Sequence, residues 1–337
     1  MAYAPNELLT NLLKDVSRSF YLTLRVLPQS IRPQIGLAYL LARTTDTIAD
    51  TEIIPLDQRL KSLQALRERI LGTASAPVNF GELARRQSQP AERVLLENTE
   101  ASLALLPSLP PADLQLVRTV LDIITSGQEL DLQRFAGASA ANVIALRTDA
   151  ELDDYTYRVA GCVGEFWTKM CRAHVFPNAQ LADAQLLADG VRFGKGLQLV
   201  NILRDLPADL NNGRCYLPAE ALTRLGLVPA DLRNPANEPR LRPLYNQWLD
   251  QAGAHLAAGW DYTNNVPWRC IRVRLACAWP VLIGMRTVQR LRAGNVLDPQ
   301  KRIKISRREV RSVIFQSVAC YAFPGTWRRL GRAVTPS

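Results

Sequence analysis

Residues 198–209 read QLVNILRDLPAD, and residues 213–218, after a short gap, read GRCYLP. Gln198, Asn201, Asp205 and Asp209 recur at i, i+3, i+7 and i+11, which on a helix aligns them along one face. The positions between them are largely apolar, so the stretch predicts a helix that buries most of its surface and keeps one polar stripe. Arg204 lies beside the stripe, and Arg214 sits in the turn that follows. Working outward, a second stripe stands about 160 residues earlier. Tyr39, Arg43, Asp46 and Asp50 recur at i, i+4, i+7 and i+11. In both stripes two carboxylates lie one helical turn apart, where like charges repel. A hard divalent cation reverses that repulsion, and Mg2+ takes oxygen ligands of this kind.

Two polar stripes on apolar helices are hard to bury separately. Facing each other across a cavity, they would hold several Mg2+ ions and a polyanion. The matching chemistry is ionisation of an allylic diphosphate, in which metal ions and arginines neutralise the charge growing on the leaving group. That chemistry needs no histidine, and the chain has only two. No GxxxxGK[ST] cradle and no GxGxxG after a strand competes for the phosphate role.

The rest of the chain is helical in pattern. Apolar positions recur at three and four over 35–50, 57–71, 90–106, 113–134, 152–172, 179–204, 244–260 and 268–292, with Pro280 as an expected kink or break. Alternation is confined to 302–306 (RIKIS), a candidate short strand. Punctuation at 73–78, 107–111, 135–141 and 228–243 is too short for a linker, and no repeat is visible. A single all-α domain over residues 1–337 is expected.

The 337 residues are 47% hydrophobic and carry a net charge of +10, which excludes a disordered chain and points to an anionic partner. Nine Lys/Arg against one acid, Glu309, fall between Lys301 and Arg332. The basic segment 301–337 reads either as a solvated tail or as a patch for anionic membrane headgroups. No nucleic-acid recognition signature supports the third option. Six cysteines form no CxxC pair, so free thiols in a reducing compartment are expected. The first 20 residues lack the order of a signal peptide, and the longest apolar run, 275–285, is too short to span a bilayer. A cytoplasmic protein, peripheral at the inner membrane face, is the resulting expectation.

Four segments together resemble the squalene/phytoene synthase family of head-to-head prenyl transferases. VSRSF (16–20) is similar to the family's substrate flap, and DTIAD (46–50) to its first aspartate motif. YTYRVAGCVG (155–164) is similar to the helix bearing the family's active-site tyrosine. QLVNILRDLPAD with GRCYLP is similar to the second aspartate motif. The resemblance covers roughly residues 15–310 in the family's order and implies an all-α isoprenoid-synthase fold with a central cavity.

Carried over by position, the resemblance implies Mg2+ on Asp46, Asp50, Asp205 and Asp209, assisted by Asn201. Arg18, Arg43, Arg204 and Arg214 would grip diphosphates, with Ser17 and Tyr39 nearby. Tyr155 would accept a proton or stabilise a cation in the first half-reaction. Phe20, Val159, Val163, Trp167, Leu197, Gln198 and Pro280 would line the prenyl pocket. Plainer roles stand beside these: Arg43 pairing with Asp46 or Asp50, Gly161 and Gly164 permitting close helix packing, Phe20 and Trp167 as core aromatics, Tyr155 bonded to a carbonyl. Ala49 and Ala208 stand where eukaryotic squalene synthases tend to carry a further acid. Pro207 cannot donate to the carbonyl of Leu203, so the helix is expected to bend or end there.

The resemblance is closest to a bacterial squalene synthase. It implies joining of two farnesyl diphosphates to presqualene diphosphate, then reduction to squalene with NADPH. Presqualene diphosphate synthase, dehydrosqualene synthase and phytoene synthase are the alternatives within the class, and a non-catalytic relative serving as an assembly or binding protein is the alternative outside it. No fingerprint marks an NADPH site, and oligomeric state leaves no trace in the sequence.

Overall fold

The structure, a computed structural model, describes residues 7–17, 21–52 and 54–332. They fall into two compact units, one formed by Met1–Gln133 with Phe166–Asn178, the other by Arg134–Glu165 with Ala179–Ser337. The all-α expectation holds. The described strands are two residues each, Ile144–Ala145 and Arg214–Cys215, paired in parallel.

In the first unit the helix Arg32–Asp50 is almost wholly buried. Pro33 in its first turn needs no amide partner, and Ile35, Leu37, Leu40, Leu41 and Ile48 fill the core. Two of its three buried threonines bond back to the helix, Thr44 Oγ1 donating to Leu40 O at 3.0 Å and Thr45 Oγ1 to Ala42 O at 2.8 Å. Leu56–Leu71 ends at Gly72 in the left-handed conformation, φ 79°. Arg67 on that helix bridges Asp122 at 2.6 Å and Glu129 at 3.0 Å on the helix Pro111–Arg134. The helix expected over 90–106 is broken at Asn98 into Pro90–Glu97 and Thr99–Leu103. Asn98 turns its side-chain amide onto the carbonyl of Val94 at 2.8 Å, in the manner that makes Asn a poor helix-interior residue.

The second unit is built around the helix Asp183–Asn211, packed by Glu238–Asn265 and Ile271–Ala293. Leu199, Val200, Ile202, Leu203, Leu206 and Leu210 are buried in its main cluster, and each fully buried aliphatic side chain contributes about 1.5–3 kcal/mol. Asp149–Thr156, a π-turn over Tyr157–Gly161 and the start of Cys162–His174 run on as one helical stretch in this unit. A Cβ on Gly164 would lie 1.8 Å from Gly190 O, and one on Gly194 2.1 Å from Ala160 O. Backbone therefore meets backbone at this crossing, the packing role foreseen for Gly164.

At both prolines the helix continues, and one strand expectation is corrected. Pro280 lies inside Ile271–Ala293, so no break falls there. Pro207 likewise leaves its helix running to Asn211. The reason is visible at the carbonyl Pro207 strands: Tyr245 donates its hydroxyl to Leu203 O at 2.8 Å, supplying the bond the missing amide would have made. Finally, 302–306 is not a strand. Ser306 instead caps the helix Arg307–Cys320, with Glu309 completing a reciprocal capping box, and Pro324–Arg332 follows. Both helices lie in the segment read from sequence only as basic. All six cysteines are free, and no described helix is long and apolar enough to cross a membrane.

Candidate active site on two aspartate helices

The foreseen stripe on Arg32–Asp50 is the part of that helix left incompletely buried. Tyr39, Arg43 and Asp46 are half-buried and Asp50 is exposed, while the intervening positions Leu40, Leu41, Thr44, Thr45, Thr47, Ile48 and Ala49 are buried. Arg43 has a stronger partner than either aspartate. Its Nη2 meets Glu92 Oε1 at 2.5 Å, whereas Nη1 stands 3.8 Å from Asp46 Oδ2. Asp46 Oδ1 accepts a hydrogen bond from Gln128 Nε2, and Gln128 Oε1 is a buried acceptor with no donor among the described residues. Desolvation by surrounding protein, then the charge of Asp50, push the Asp46 carboxyl up to about 7, against the pull of Arg43 and Gln128. Its side chain still keeps 49% of its surface accessible, so water or a hydrated ion can reach it.

Of the other residues expected in this unit, Ser17 is buried and its Oγ has no hydrogen-bond partner among the described residues. Trp167 is half-buried with its Nε1 likewise unpartnered. Arg18 and Phe20 lie outside the described residues.

In the second unit Gln198, Asn201, Asp205 and Asp209 share the accessible side of Asp183–Asn211, opposite the buried leucines. Continuity through Pro207 keeps Asp205 and Asp209 one turn apart. Asp205 is already neutralised: Arg204 Nε reaches Oδ1 at 3.0 Å and its Nη2 pairs with Oδ2, while Arg302 Nη2 stands 3.4 Å from Oδ1. Asn201 Nδ2 lies 3.5 Å from Gln198 Oε1. After the helix, Gly213 adopts φ 76°, and a Cβ there would fall 2.2 Å from Ser139 O. That turn delivers Arg214 to the short parallel pair and buries Cys215, whose thiol burial pushes up to about 12.

Tyr155 is half-buried and stacks on Tyr216, ring centroids 4.7 Å apart, with Phe135 edge-on to Tyr216 at 5.0 Å. Tyr216 belongs to the stretch after the second aspartate pair, so the two motifs meet through their rings. Val159 is half-buried and Val163 is 36% exposed. Leu197 approaches the helix of Pro280, its Cδ2 lying 3.6 Å from where a Cβ on Gly284 would stand. A pocket of about 200 Å³ beside the second aspartate pair is lined by Arg204, Asp205, Pro207, Lys301 and Arg302 among others.

Glu92, Gln128 and Arg302 escaped the sequence reading. Each reaches its aspartate helix from far along the chain, and only the basic character of 301–337 gave any signal.

Among the described residues no group of three or more His, Cys, Asp or Glu forms a cage for a metal. Mg2+ does not require one, since it keeps several waters and is held by one or two carboxylates together with substrate phosphates. The residues fit it. Each helix offers hard oxygens at i, i+4, and the first pair has the unsatisfied buried acceptor Gln128 Oε1 beside it.

The sequence profile of the squalene/phytoene synthase family matches residues 13–309. A presqualene diphosphate synthase of Rhodopseudomonas palustris is 27% identical over 301 residues, covering 88% of this chain and 92% of that protein. One from Zymomonas mobilis is 29% identical over 293 residues, covering 86% and 84%. The solved complex of TcSQS with the ligand E5700 superposes with a TM-score of 0.76 at 20% identity, covering 98% of this chain and 100% of that one, a likeness of fold. With the profile spanning most of its length and the helical architecture in agreement, the chain belongs to the squalene/phytoene synthase family of head-to-head prenyl transferases.

Proposed function

We propose that the protein joins two farnesyl diphosphates to presqualene diphosphate in a Mg2+-dependent reaction and reduces that product to squalene with NADPH. The observation that carries the reading is the Asp46–Asp50 pair, two accessible carboxylates at i, i+4, in which burial and then the charge of Asp50 raise the Asp46 carboxyl. Asp46 and Asp50 would hold Mg2+ through one pair, Asp205 and Asp209 through the other, with Asn201 beside the second. Bound there, Mg2+ supplies the positive charge that stabilises departing diphosphate.

The chain's own groups do the rest. Arg43, fixed by Glu92, presents a guanidinium that cannot swing away. Arg204 and Arg302 are spent on Asp205 in the resting protein. With a cation held at that carboxylate, both guanidiniums would be free to bind diphosphate oxygens, joined by Arg214 and Arg18. Ser17 and Tyr39 would orient the same headgroups. Tyr155, set against Tyr216, would receive the proton lost as the cyclopropane closes, or pass it to the released pyrophosphate. Phe20, Val159, Val163, Trp167, Leu197, Gln198 and Pro280 would surround the prenyl chains. Aromatic faces there stabilise a passing carbocation through the ring quadrupole. The sequence carries no GxGxxG fingerprint after a strand to mark the NADPH site.

A second reading stops at presqualene diphosphate, and the two bacterial relatives named for that activity favour it. One experiment separates them. The protein is incubated with farnesyl diphosphate and Mg2+, with and without NADPH, and extracts are analysed by mass spectrometry. Presqualene diphosphate first, and squalene only with NADPH, is the expected result. Presqualene diphosphate unchanged by NADPH would establish the second reading. Turnover of geranylgeranyl diphosphate alone would mean phytoene synthesis, and no turnover of either would remove the proposal.

A further inference from the structure

The helix Arg307–Cys320 buries one side only. Ser317, fully buried, accepts the indole N–H of Trp279 at 2.9 Å, and Val313 lies on the same inward side. The outward side carries Arg308, Arg311, Phe315 and Val318, spaced i, i+3, i+7 and i+10. Phe315 is 74% exposed, Val318 51%, and Phe323 in the next turn 64%. Trp268 stacks on Tyr321 with centroids 4.4 Å apart, so its open edge and the neighbouring Ile271 adjoin the same surface. Five of the eight exposed large hydrophobic side chains among the described residues are therefore Trp268, Ile271, Phe315, Val318 and Phe323.

The surface is not a loose tail. Arg274 is buried at 3% exposure, gives its guanidinium to the carbonyls of Val266 at 2.6 Å and Asn264 at 2.9 Å, and packs against Trp268 and Trp327. Trp327 in turn donates to Asn264 Oδ1 at 2.9 Å. The cage ties both C-terminal helices to the fold and holds the apolar side chains outward.

Charge identifies what they face. Arg269, Arg272, Arg307, Arg308, Arg311, Arg328 and Arg329 are all exposed around them. The acid on this helix, Glu309, is taken up by Ser306 and by Arg290 at 2.7 Å. We propose that this face docks on an anionic lipid bilayer, its arginines at the phosphates and Phe315, Val318 and Phe323 in the headgroup–acyl boundary. A second copy of the chain would bring arginine against arginine, which opposes self-association through the same patch. The inference concerns attachment and stands whether or not the proposed reaction is the right one.

Co-sedimentation of the full chain with phosphatidylcholine vesicles, with and without about a third phosphatidylglycerol, tests it. Binding to the anionic vesicles should exceed binding to neutral ones by about tenfold or more, and high salt should weaken it. Phe315→Ser with Phe323→Ser should lower anionic-vesicle binding by at least about tenfold with an unchanged melting temperature. Arg308→Gln with Arg311→Gln should lower it about tenfold while leaving the weak neutral binding as it was. Equal binding to both vesicles, or parental binding by the double phenylalanine variant, overturns the proposal. So does a parent chain that sediments as a dimer without vesicle affinity and becomes monomeric in that variant. Loss of prenyl transfer with intact vesicle binding would count against the proposed function alone.

Discussion

The two aspartate helices carry the same i, i+4 carboxylate pair among different charged partners. On Arg32–Asp50 the arginine of the stripe is drawn off by Glu92, and Asp46 is left facing Asp50 with its affinity for a proton raised. On Asp183–Asn211 the carboxylate of Asp205 is held by Arg204 and Arg302. Asp46 shares the Arg43 guanidinium, 3.8 Å away, with Glu92, whereas Asp205 is contacted by two arginines. On the proposed reading a cation at the second helix would compete with those guanidiniums, which would then be free for phosphate. Identical spacing in the sequence gives two different surroundings, because Glu92, Gln128 and Arg302 come from elsewhere in the chain and add to the neighbour Arg204.

The largest effect should come from the first of these helices. Asp46→Asn should lower turnover of farnesyl diphosphate about a thousandfold, some 4 kcal/mol of barrier, with normal melting. A fully active, EDTA-insensitive variant would end the contrast by removing the cation from it.

Next in size is the scaffold of the second helix. Tyr245→Phe leaves the Leu203 carbonyl buried without a donor and should cost about 1–3 kcal/mol in denaturant unfolding. The same substitution should displace Asp209 relative to Asp205 and slow turnover. Unchanged stability would show that the helix tolerates Pro207 unaided.

Arg302→Gln probes the exchange itself. It should raise KM for farnesyl diphosphate about tenfold while kcat changes little, as expected when a guanidinium holds the substrate rather than the transition state. An unchanged KM would make Arg302 a simple counter-ion of Asp205.

The smallest effect is the pH signature of the first pair. A carboxyl whose folded pKa lies near 7, against 3.8 in the unfolded chain, retains a proton on folding between those values. Its contribution to stability thus declines as pH rises from about 4 to about 7 and is level above. Without metal, Asp46→Asn should become stabilised relative to the parent across that window. Mg2+ should raise the parent's melting temperature at pH 8 more than at pH 5, since protons compete with it. A Mg2+ shift independent of pH would place its binding elsewhere.

Much of the architecture was readable because each long helix hides a face, and apolar spacing at three and four survives any tertiary context. Both stripes were readable for the complementary reason that charged side chains on such helices need an explanation. Glu92, Gln128 and Arg302 were not, standing 49, 82 and 97 residues from the side chains they engage. No local pattern encodes such a meeting. The helix Arg307–Cys320 was different: Ser306 and Glu309 form a legible capping box, hidden by the alternating look of 302–306. Pro207 misled because backbone rules describe what a proline removes and are silent about who replaces it.

The replacement of a backbone amide by a tyrosine hydroxyl also makes positions 207 and 245 interdependent under mutation. Pro207→Ala restores a main-chain donor to Leu203, so in that background the loss of the Tyr245 hydroxyl should be nearly harmless, although it is damaging in the parent. Order then matters. A chain with phenylalanine at 245 can accept proline at 207 only by passing through an unsatisfied carbonyl, whereas one with tyrosine in place accepts it directly. Any library that varies the second aspartate motif while holding 245 fixed would inherit that constraint unseen.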